Sequence, residues 1–375
     1  IASRRPMPRL TLLCEYATLN GGEQSMLATL DGVRRLGFTP RAIAPPEGPL
    51  ADALRCRDVE LLPLITHDNS GGRLSLDRRR EVLADQLRRG TDLLHANSLS
   101  MGRLSGPVAA QLNLPSVVHL RDIINLSRQA LMDLNCHGRL LAVSQATREY
   151  HVAAGLDAEK THVLYNGVDL DRFAPRPASG YLHRELRLPD EAILVGTIGQ
   201  IGARKGQDVL AGAARLVAAR VPNVHFLVIG RRHSEKDESR RFEADLQAAA
   251  DALSGRMHLL GVRDDVDRLL GELTLLAHPA RQEPLGRVLL ESAAAGVAVV
   301  ASDVGGTREI FPPQRNAAIL VPPDDIRALA DAIEQLIEGE PMRNCIATAA
   351  RHRAEEAFGS EQASDALVEH YRALV

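Results

Sequence analysis

The sequence predicts an α/β protein made of two Rossmann-like parallel-sheet domains. Two patterns predict it. Short apolar runs alternate with glycine-containing turns and amphipathic stretches of about 10–15 residues, the order that makes βαβ units and a parallel sheet. The scheme runs once through the first half of the 375 residues and restarts in the second. Between the halves, residues 166–189 are dense in Asp, Pro and Gly, which marks a boundary. At roughly 100–200 residues per domain, the length gives each half enough chain to bury its own core.

In the first half, Leu10–Leu13 reads as a strand, Gly22–Leu36 as a helix ending near Gly37, and Arg41–Ala44 as a strand. Asp77–Arg89 is a helix with arginine-rich polar positions; Leu93–His95, Ser116–His119 and Leu140–Val143 are buried strands. In the second half, Ile193–Ile198, His225–Ile229, Met257–Leu260, Leu273–His278 and Ala298–Ala301 read as strands. Helices are expected over Val209–Ala219, Ser239–Ala252, Asp264–Leu270, Gly286–Ala295 and Asp324–Ile337, and a last one near Ser360–Val375. The expected division is 7–170 for the first domain, 171–190 for a linker, 191–359 for the second domain and 360–375 for the final helix. Residues 1–6 precede Met7, lack the apolar stretch of a secretory signal, and are set aside.

Composition excludes several classes. Lys plus Arg number 45 and Asp plus Glu 48, a net charge of −3, which argues against a nucleic-acid protein held by phosphate neutralisation. No window approaches 18 uninterrupted apolar residues, so no spanning helix is expected. Four scattered cysteines make neither a disulfide framework nor a CxxC metal knuckle, and a reduced, cytoplasmic setting fits. Residues 1–170 carry +2 and residues 171–375 carry −5. The slightly basic first half could favour an anionic acceptor or peripheral association with the inner membrane face; the preferred reading of clusters such as Arg78-Arg79-Arg80 is simply a solvated helix face.

In open α/β sheets ligands lie beyond the carboxyl ends of the strands, and the motifs fall there. The most informative segment runs from His278 to Ile310. Glu283 lies in a loop and Glu291 near the second turn of the helix after it; eight steps of about 100° bring the two within about 80° of one facing. Such carboxylates suit two separate polyol groups, or are simply surface charges beside an ordinary helix. The amides of Leu285, Gly286 and Arg287, at the helix start, suit a phosphate. Gly21 and Gly22 follow the first strand and would let backbone approach a diphosphate without Cβ interference, or merely make a tight turn. Arg204-Lys205-Gly206 opens the first helix of the second half. A lysine there gains nothing from the helix dipole, so an anionic partner is expected; the bland reading is a solvated basic turn. His119 ends a buried strand and could donate to a sugar hydroxyl, or to phosphate if protonated, or be structural. His95 is a weaker candidate of the same kind. Two DxD triplets, Asp169-Leu170-Asp171 and Asp265-Val266-Asp267, lie in the linker and at a helix start, where Asp serves as a cap rather than a metal ligand. No G-x-G-x-x-G follows the first strand and no Walker lysine motif occurs, which disfavours dehydrogenase and P-loop chemistry.

The run Glu283-Pro284-Leu285-Gly286-Arg287-Val288-Leu289-Leu290-Glu291, followed by Gly296-Val297-Ala298-Val299-Val300 and Gly305-Gly306, resembles the retaining glycosyltransferases of family 4. Leu285 replaces the usual Phe and Ala298 the usual Pro, both apolar exchanges. Leu19-Asn20-Gly21-Gly22-Glu23 follows the first strand, as the family's glycine-rich G-G-x-E turn does, and Tyr165-Asn166-Gly167-Val168-Asp169 resembles its entrance to the linker, read here as structural. Gly199-Gln200-Ile201-Gly202-Ala203-Arg204-Lys205-Gly206 matches its G-R-L-x-x-x-K-G element, with Gln200 where an arginine is usual and Arg204 adjacent as a substitute.

The resemblance implies the GT-B fold, two Rossmann-like domains facing across a cleft, the final helix crossing back to the first domain. It implies a nucleotide diphosphate sugar (UDP- or GDP-sugar) held mainly by the second domain, an acceptor held by the first, and retaining transfer to an acceptor hydroxyl with no metal or other cofactor. His119 and Glu283 would contact the transferred sugar. Glu291 would hold the ribose, and Gly21, Gly22, Arg204, Lys205, Pro284, Leu285, Gly286 and Arg287 would line the donor site. Arg231 and Val262 are positional candidates near the base. The acceptor would be a glycan, a lipid-linked or a small molecule. Two alternatives stay open: a GT-B-like epimerase or phosphorylase, and a non-catalytic nucleotide-sugar-binding module, which Gln200 makes conceivable.

Overall fold

The computed structural model describes residues 7–68 and 70–375; residues 1–6 lie outside it. The chain forms two compact units, one of residues up to Gly167 together with Ser360–Val375, the other Val168–Gly359.

The first unit runs β1 (Arg9–Leu13), α1 (Gly21–Arg35), β2 (Thr39–Ala44), α2 (Pro49–Arg55), β3 (Glu60–Pro63), α3 (Leu76–Arg88), β4 (Leu93–Ala96), α4 (Leu99–Gln111), β5 (Ser116–Leu120), α5 (Arg128–Asn135), β6 (Arg139–Ala142), α6 (Gln145–Ala154) and β7 (Thr161–Val163). Its strands form one parallel sheet in the order β3-β2-β1-β4-β5-β6-β7. Side chains alternate across it. Leu10 and Leu12 join a cluster with Met26, Leu30 and Leu54, while Leu13, Leu94 and Val118 join another with Leu83, Leu104 and Leu134. Apolar residues on both faces follow from helices covering both faces of a parallel sheet. Ser75, Ser98, Ser127 and Ser144 cap α3, α4, α5 and α6, each hydroxyl accepting from a first-turn amide that would otherwise be unpaired.

The second unit contains α7 (Tyr181–Leu186), β8 (Ile193–Ile198), α8 (Gln207–Arg220), β9 (Val224–Ile229), α9 (Asp237–Asp251), β10 (Met257–Gly261), α10 (Val266–Leu270), β11 (Leu275–His278), α11 (Arg287–Ala294), β12 (Val299–Ser302), α12 (Thr307–Ile310), β13 (Ile319–Val321), α13 (Ile326–Glu338) and α14 (Glu340–Ala357). Its sheet is parallel, ordered β10-β9-β8-β11-β12-β13. Residues 171–190, expected as a linker, are grouped with this unit and carry α7. Leu182 and Phe173 are buried there, so the segment is held by packing.

The last helix, α15 (Ser360–Arg372), packs on α1 of the first unit. Gly32 lets the two helices touch: a Cβ at that position would fall 2.4 Å from the Cβ of Ser364. Leu367, Val368 and Tyr371 thereby enter the core beside Leu10 and Leu12.

In both sheets the strand order reverses beside the first strand of the unit, at β1/β4 and at β8/β11. Crevices outside the carboxyl ends of strands at such switch points are where open α/β sheets bind ligands.

Candidate active site

Each unit places its own group of expected residues at its switch point. In the second unit, three loops leave the carboxyl ends of β8, β11 and β12, and backbone contacts sew them together. The Arg281 amide donates to the Arg204 carbonyl at 2.9 Å, and the Gly306 amide to the Glu283 carbonyl at 2.9 Å. Gly206 has φ +67°, and a Cβ on it would lie 1.9 Å from the Pro279 carbonyl oxygen. A Cβ on Gly306 would lie 2.4 Å from that of Pro284. The paired glycines thus permit backbone-to-backbone approach that any side chain would block.

The two carboxylates are buried rather than on the surface, Glu283 4% and Glu291 7% exposed. Lys205 Nζ donates to Glu283 Oε2 at 2.5 Å, and His278 Nε2 donates to the same oxygen at 2.7 Å. Burial works to raise the Glu283 carboxyl, but the Lys205 charge and the His278 hydrogen bond prevail and hold it well below its ordinary value. Burial also lowers His278, and the nearby Lys205 and Arg204 charges add to that. The cluster is therefore carboxylate, ammonium and neutral imidazole. Glu283 Oε1 has no hydrogen bond among the described residues, so one oxygen keeps its acceptor capacity.

Glu291 lies in the second turn of α11 and accepts from Arg287 Nε at 2.7 Å. Burial raises its carboxyl and Arg287 opposes the rise. Gly286 is the N-cap of α11 with φ +97° and no capping side chain, Pro284 and Leu285 are buried in the preceding loop, and the first amides of the helix carry no side-chain cap. Arg204 and Gln200 are both exposed. Among the described residues the Arg204 guanidinium makes no hydrogen bond or ion pair, in contrast to Lys205. Arg231 and Val262 are exposed too.

Neither DxD triplet offers a free carboxylate pair. Asp265 is held by Arg263 at 2.8 Å and by the Tyr181 hydroxyl at 2.9 Å, which keeps its carboxyl at about 2. Asp267 is held by Arg176 and Arg172, and Asp169 accepts from the amides of Asp171 and Arg172.

In the first unit, Gly21 and Gly22 begin α1 directly after the loop from β1. His119, on β5, is 5% exposed; its Nδ1 lies 2.9 Å from His95 Nε2 and 3.1 Å from Arg121 Nη2. Burial foremost, and then the Arg121 charge, hold this ring well below its ordinary value. A protonated His119 gripping phosphate is thus disfavoured; the neutral ring can donate one hydrogen bond. Sequence reasoning passed over Arg121, His278 and Tyr371. Arg121 also reaches Asn97 Oδ1 at 2.9 Å and Asn166 Oδ1 at 2.8 Å, so the segment around Asn166 is anchored here. Gly22 makes room for it, since a Cβ there would lie 3.0 Å from Arg121 Cδ.

Known proteins resemble this chain in sequence and in fold. The model described as "Glycosyl transferases group 1" matches residues 181–353, and that described as "Glycosyltransferase Family 4" matches residues 19–172. The phosphatidyl-myo-inositol mannosyltransferase of Mycolicibacterium smegmatis is 30% identical over 360 residues, covering 89% of this chain and 86% of that protein. A GDP-mannose-dependent alpha-mannosyltransferase of Mycobacterium tuberculosis is 26% identical, covering 95% and 93%. Among solved structures, Anabaena HepE in complex with UDP and glucose superimposes with a TM-score of 0.85 at 24% identity, covering 97% of this chain and 99% of that one. The lipopolysaccharide glycosyltransferase WaaG does so with a TM-score of 0.72 at 19% identity, covering 96% and 98%.

Proposed function

The chain belongs to glycosyltransferase family 4 and has the GT-B fold, and on that premise we propose that it transfers a sugar from a nucleotide diphosphate sugar to an acceptor hydroxyl with retention at the anomeric carbon. The observation that carries this reading is the Lys205–Glu283–His278 cluster, seated where three glycine-bearing loops meet at the second switch point.

As the glycosidic bond to the diphosphate breaks, negative charge grows on the leaving phosphate and positive charge on the sugar. One of the three Lys205 N–H donors is spent on Glu283, which fixes the ammonium and leaves two for phosphate oxygens. Arg204, exposed and with no hydrogen-bond or ion-pair partner for its guanidinium among the described residues, adds a second cation in place of the arginine that Gln200 supplants. The amides at Gly286 and the start of α11 supply fixed dipoles, so in this proposal no metal is needed. Glu283 Oε1 accepts from a sugar hydroxyl, and Glu291 receives the ribose hydroxyls. With no nucleophile assigned to the protein, the acceptor attacks from the leaving-group side and the departing phosphate takes its proton.

The relatives' names favour a GDP-linked mannose among donors, and HepE's ligand keeps UDP-glucose in the test. No helix among the described residues is long and apolar enough to cross a membrane; the basic first half supports peripheral association with an acceptor-bearing surface. The experiment is NMR of each donor with candidate glycan, lipid-linked and polyol acceptors in EDTA. An α-linked product from an α-linked donor supports the reading, whereas a β-linked product or an absolute metal requirement overturns it. Donor binding without turnover for any acceptor would favour the non-catalytic module that Gln200 suggests.

A further inference from the structure

We propose that Arg121 and the Tyr371 hydroxyl, acting through His95, lock His119 as its Nε2–H tautomer, so that His119 serves as a fixed hydrogen-bond donor and not as a base. The role in transfer rests on the function proposed above; the tautomer does not.

The argument is a directional count of protons along one chain of contacts. A guanidinium can only donate, so Arg121 Nη2, 3.1 Å from His119 Nδ1, requires a lone pair on that nitrogen. His95 Nε2 stands 2.9 Å from the same nitrogen, and two lone pairs facing each other would repel, so His95 Nε2 carries a proton and donates. His95 Nδ1 then holds the lone pair of its ring, and the Tyr371 hydroxyl, 2.5 Å away, donates to it. Every step follows from the cation at one end. Nε2–H of His119 is the donor left over, the ring nitrogen with no hydrogen bond among the described residues.

The surroundings keep the chain neutral and in place. His95 and Tyr371 are 1% and 0% exposed, so an unpaired hydroxyl or imidazole nitrogen would be costly there. Burial and the Arg121 charge hold His95 down at about 3, and both rings stay uncharged near neutrality. Tyr371 is gripped edge-on by Phe38, with ring centroids 5.4 Å apart, and reaches His95 because α15 lies against α1. His95, His119 and Arg121 line one small cavity with Asn166 and Leu367, so the helix that ends the chain helps build this site. Arg121 and Tyr371 are positioning residues: both act through the orientation and proton of His119.

The test uses the full chain with 15N-labelled histidine. Long-range 1H–15N correlation assigns each ring's tautomer in the protein alone, and it is repeated for Tyr371→Phe, which keeps the ring on Phe38. In the wild type, His119 and His95 both show protonated Nε2 and bare Nδ1. In Tyr371→Phe, His95 keeps its Nε2 proton while the signal of its bare Nδ1 moves, having lost the hydroxyl that donates to it, and kcat falls about tenfold at near-constant donor KM, the size of one lost hydrogen bond. His119→Gln, whose amide still donates, retains far more turnover than His119→Ala. Protonated Nδ1 on wild-type His119, unchanged His95 signals in Tyr371→Phe, or equal loss in His119→Gln and His119→Ala each overturn the proposal. Should no sugar transfer occur at all, the wild-type tautomers still decide it, separately from the function.

Discussion

Lys205 Nζ lies 2.5 Å from Oε2 of Glu283, and this one contact ties the basic turn after β8 to the acidic loop after β11. The side chains are 15% and 5% exposed, so the pair is largely withdrawn from water. Breaking such a pair leaves an uncompensated charge, which costs about 3–5 kcal/mol. Glu283→Ala and Lys205→Met are each expected to lower thermal stability by an amount in that range and turnover by at least about a hundredfold. The double variant Lys205→Met/Glu283→Gln regains most of the stability and none of the turnover. Melting temperatures and rates on the same preparations check this; a double variant as unstable as the worse single would contradict it.

Arg204 behaves differently because its guanidinium has no hydrogen-bond or ion-pair partner among the described residues to lose. Arg204→Ala is expected to raise donor KM about tenfold while leaving the melting temperature within about 1 °C. Gln200→Arg, placing a second cation on the same turn, should lower donor KM in the Arg204→Ala background. Unchanged donor KM in Arg204→Ala would remove Arg204 from the donor site.

Gly206 allows Lys205 to sit where it does. With its positive φ and the Pro279 carbonyl against its α-carbon, Gly206→Ala must both strain the turn and push the loops apart, about 2–5 kcal/mol together. Gly202→Ala, where nothing lies within 4 Å of the new methyl, is the control and should be nearly silent in stability. Denaturant midpoints compare the two; similar midpoints would mean that the loops are not sewn together as described.

His95 and His137 make the first unit sensitive to acid. His137 is enclosed between the Ser116 hydroxyl and the Gly102 carbonyl, and burial lowers it to about 4, as burial and Arg121 lower His95 to about 3. An unfolded histidine titrates near 6.5, so below that pH the unfolded chain binds protons that the folded chain refuses. Their stabilising contribution is complete above about pH 6.5 and is lost as pH falls toward the folded values, by up to about 1.4 kcal/mol per unit for each ring. Urea midpoints should hold steady from about pH 7.5 to about pH 6.5 and drop on the way to about pH 5, above the main carboxylate range. A midpoint flat to about pH 5 would contradict the neutral burial of these rings.

Legibility in the sequence followed the range of the signal. Strands such as Leu10–Leu13 and Ile193–Ile198 were readable because both faces are buried and the apolar runs are continuous. The edge strands β3, β7 and β13 were not, being three or four residues long and only partly buried. Helix α4 hid behind Gly102, Gly106 and Pro107, poor helix formers that tertiary packing overrides, although Ser98 in front of it was a readable cap. Glu283, Glu291 and Lys205 stood in local motifs at strand ends. The partners that set their chemistry did not: His278 meets Glu283 only because the loop doubles back, and His95 and Tyr371 are 276 residues apart in the chain.

The most direct test of the central claim is a thermal-shift series of UDP-, GDP- and ADP-sugars in EDTA, on the wild type and on Glu291→Gln. A donor at a hundredfold excess over its Kd stabilises by about 2.7 kcal/mol, which appears as a rise of several degrees. The account predicts such a rise with one base, and its loss or sharp reduction in the variant. No rise with any of them, or a rise that Glu291→Gln leaves intact, would contradict a nucleotide-sugar site built on Glu291 and the loops around Lys205 and Glu283.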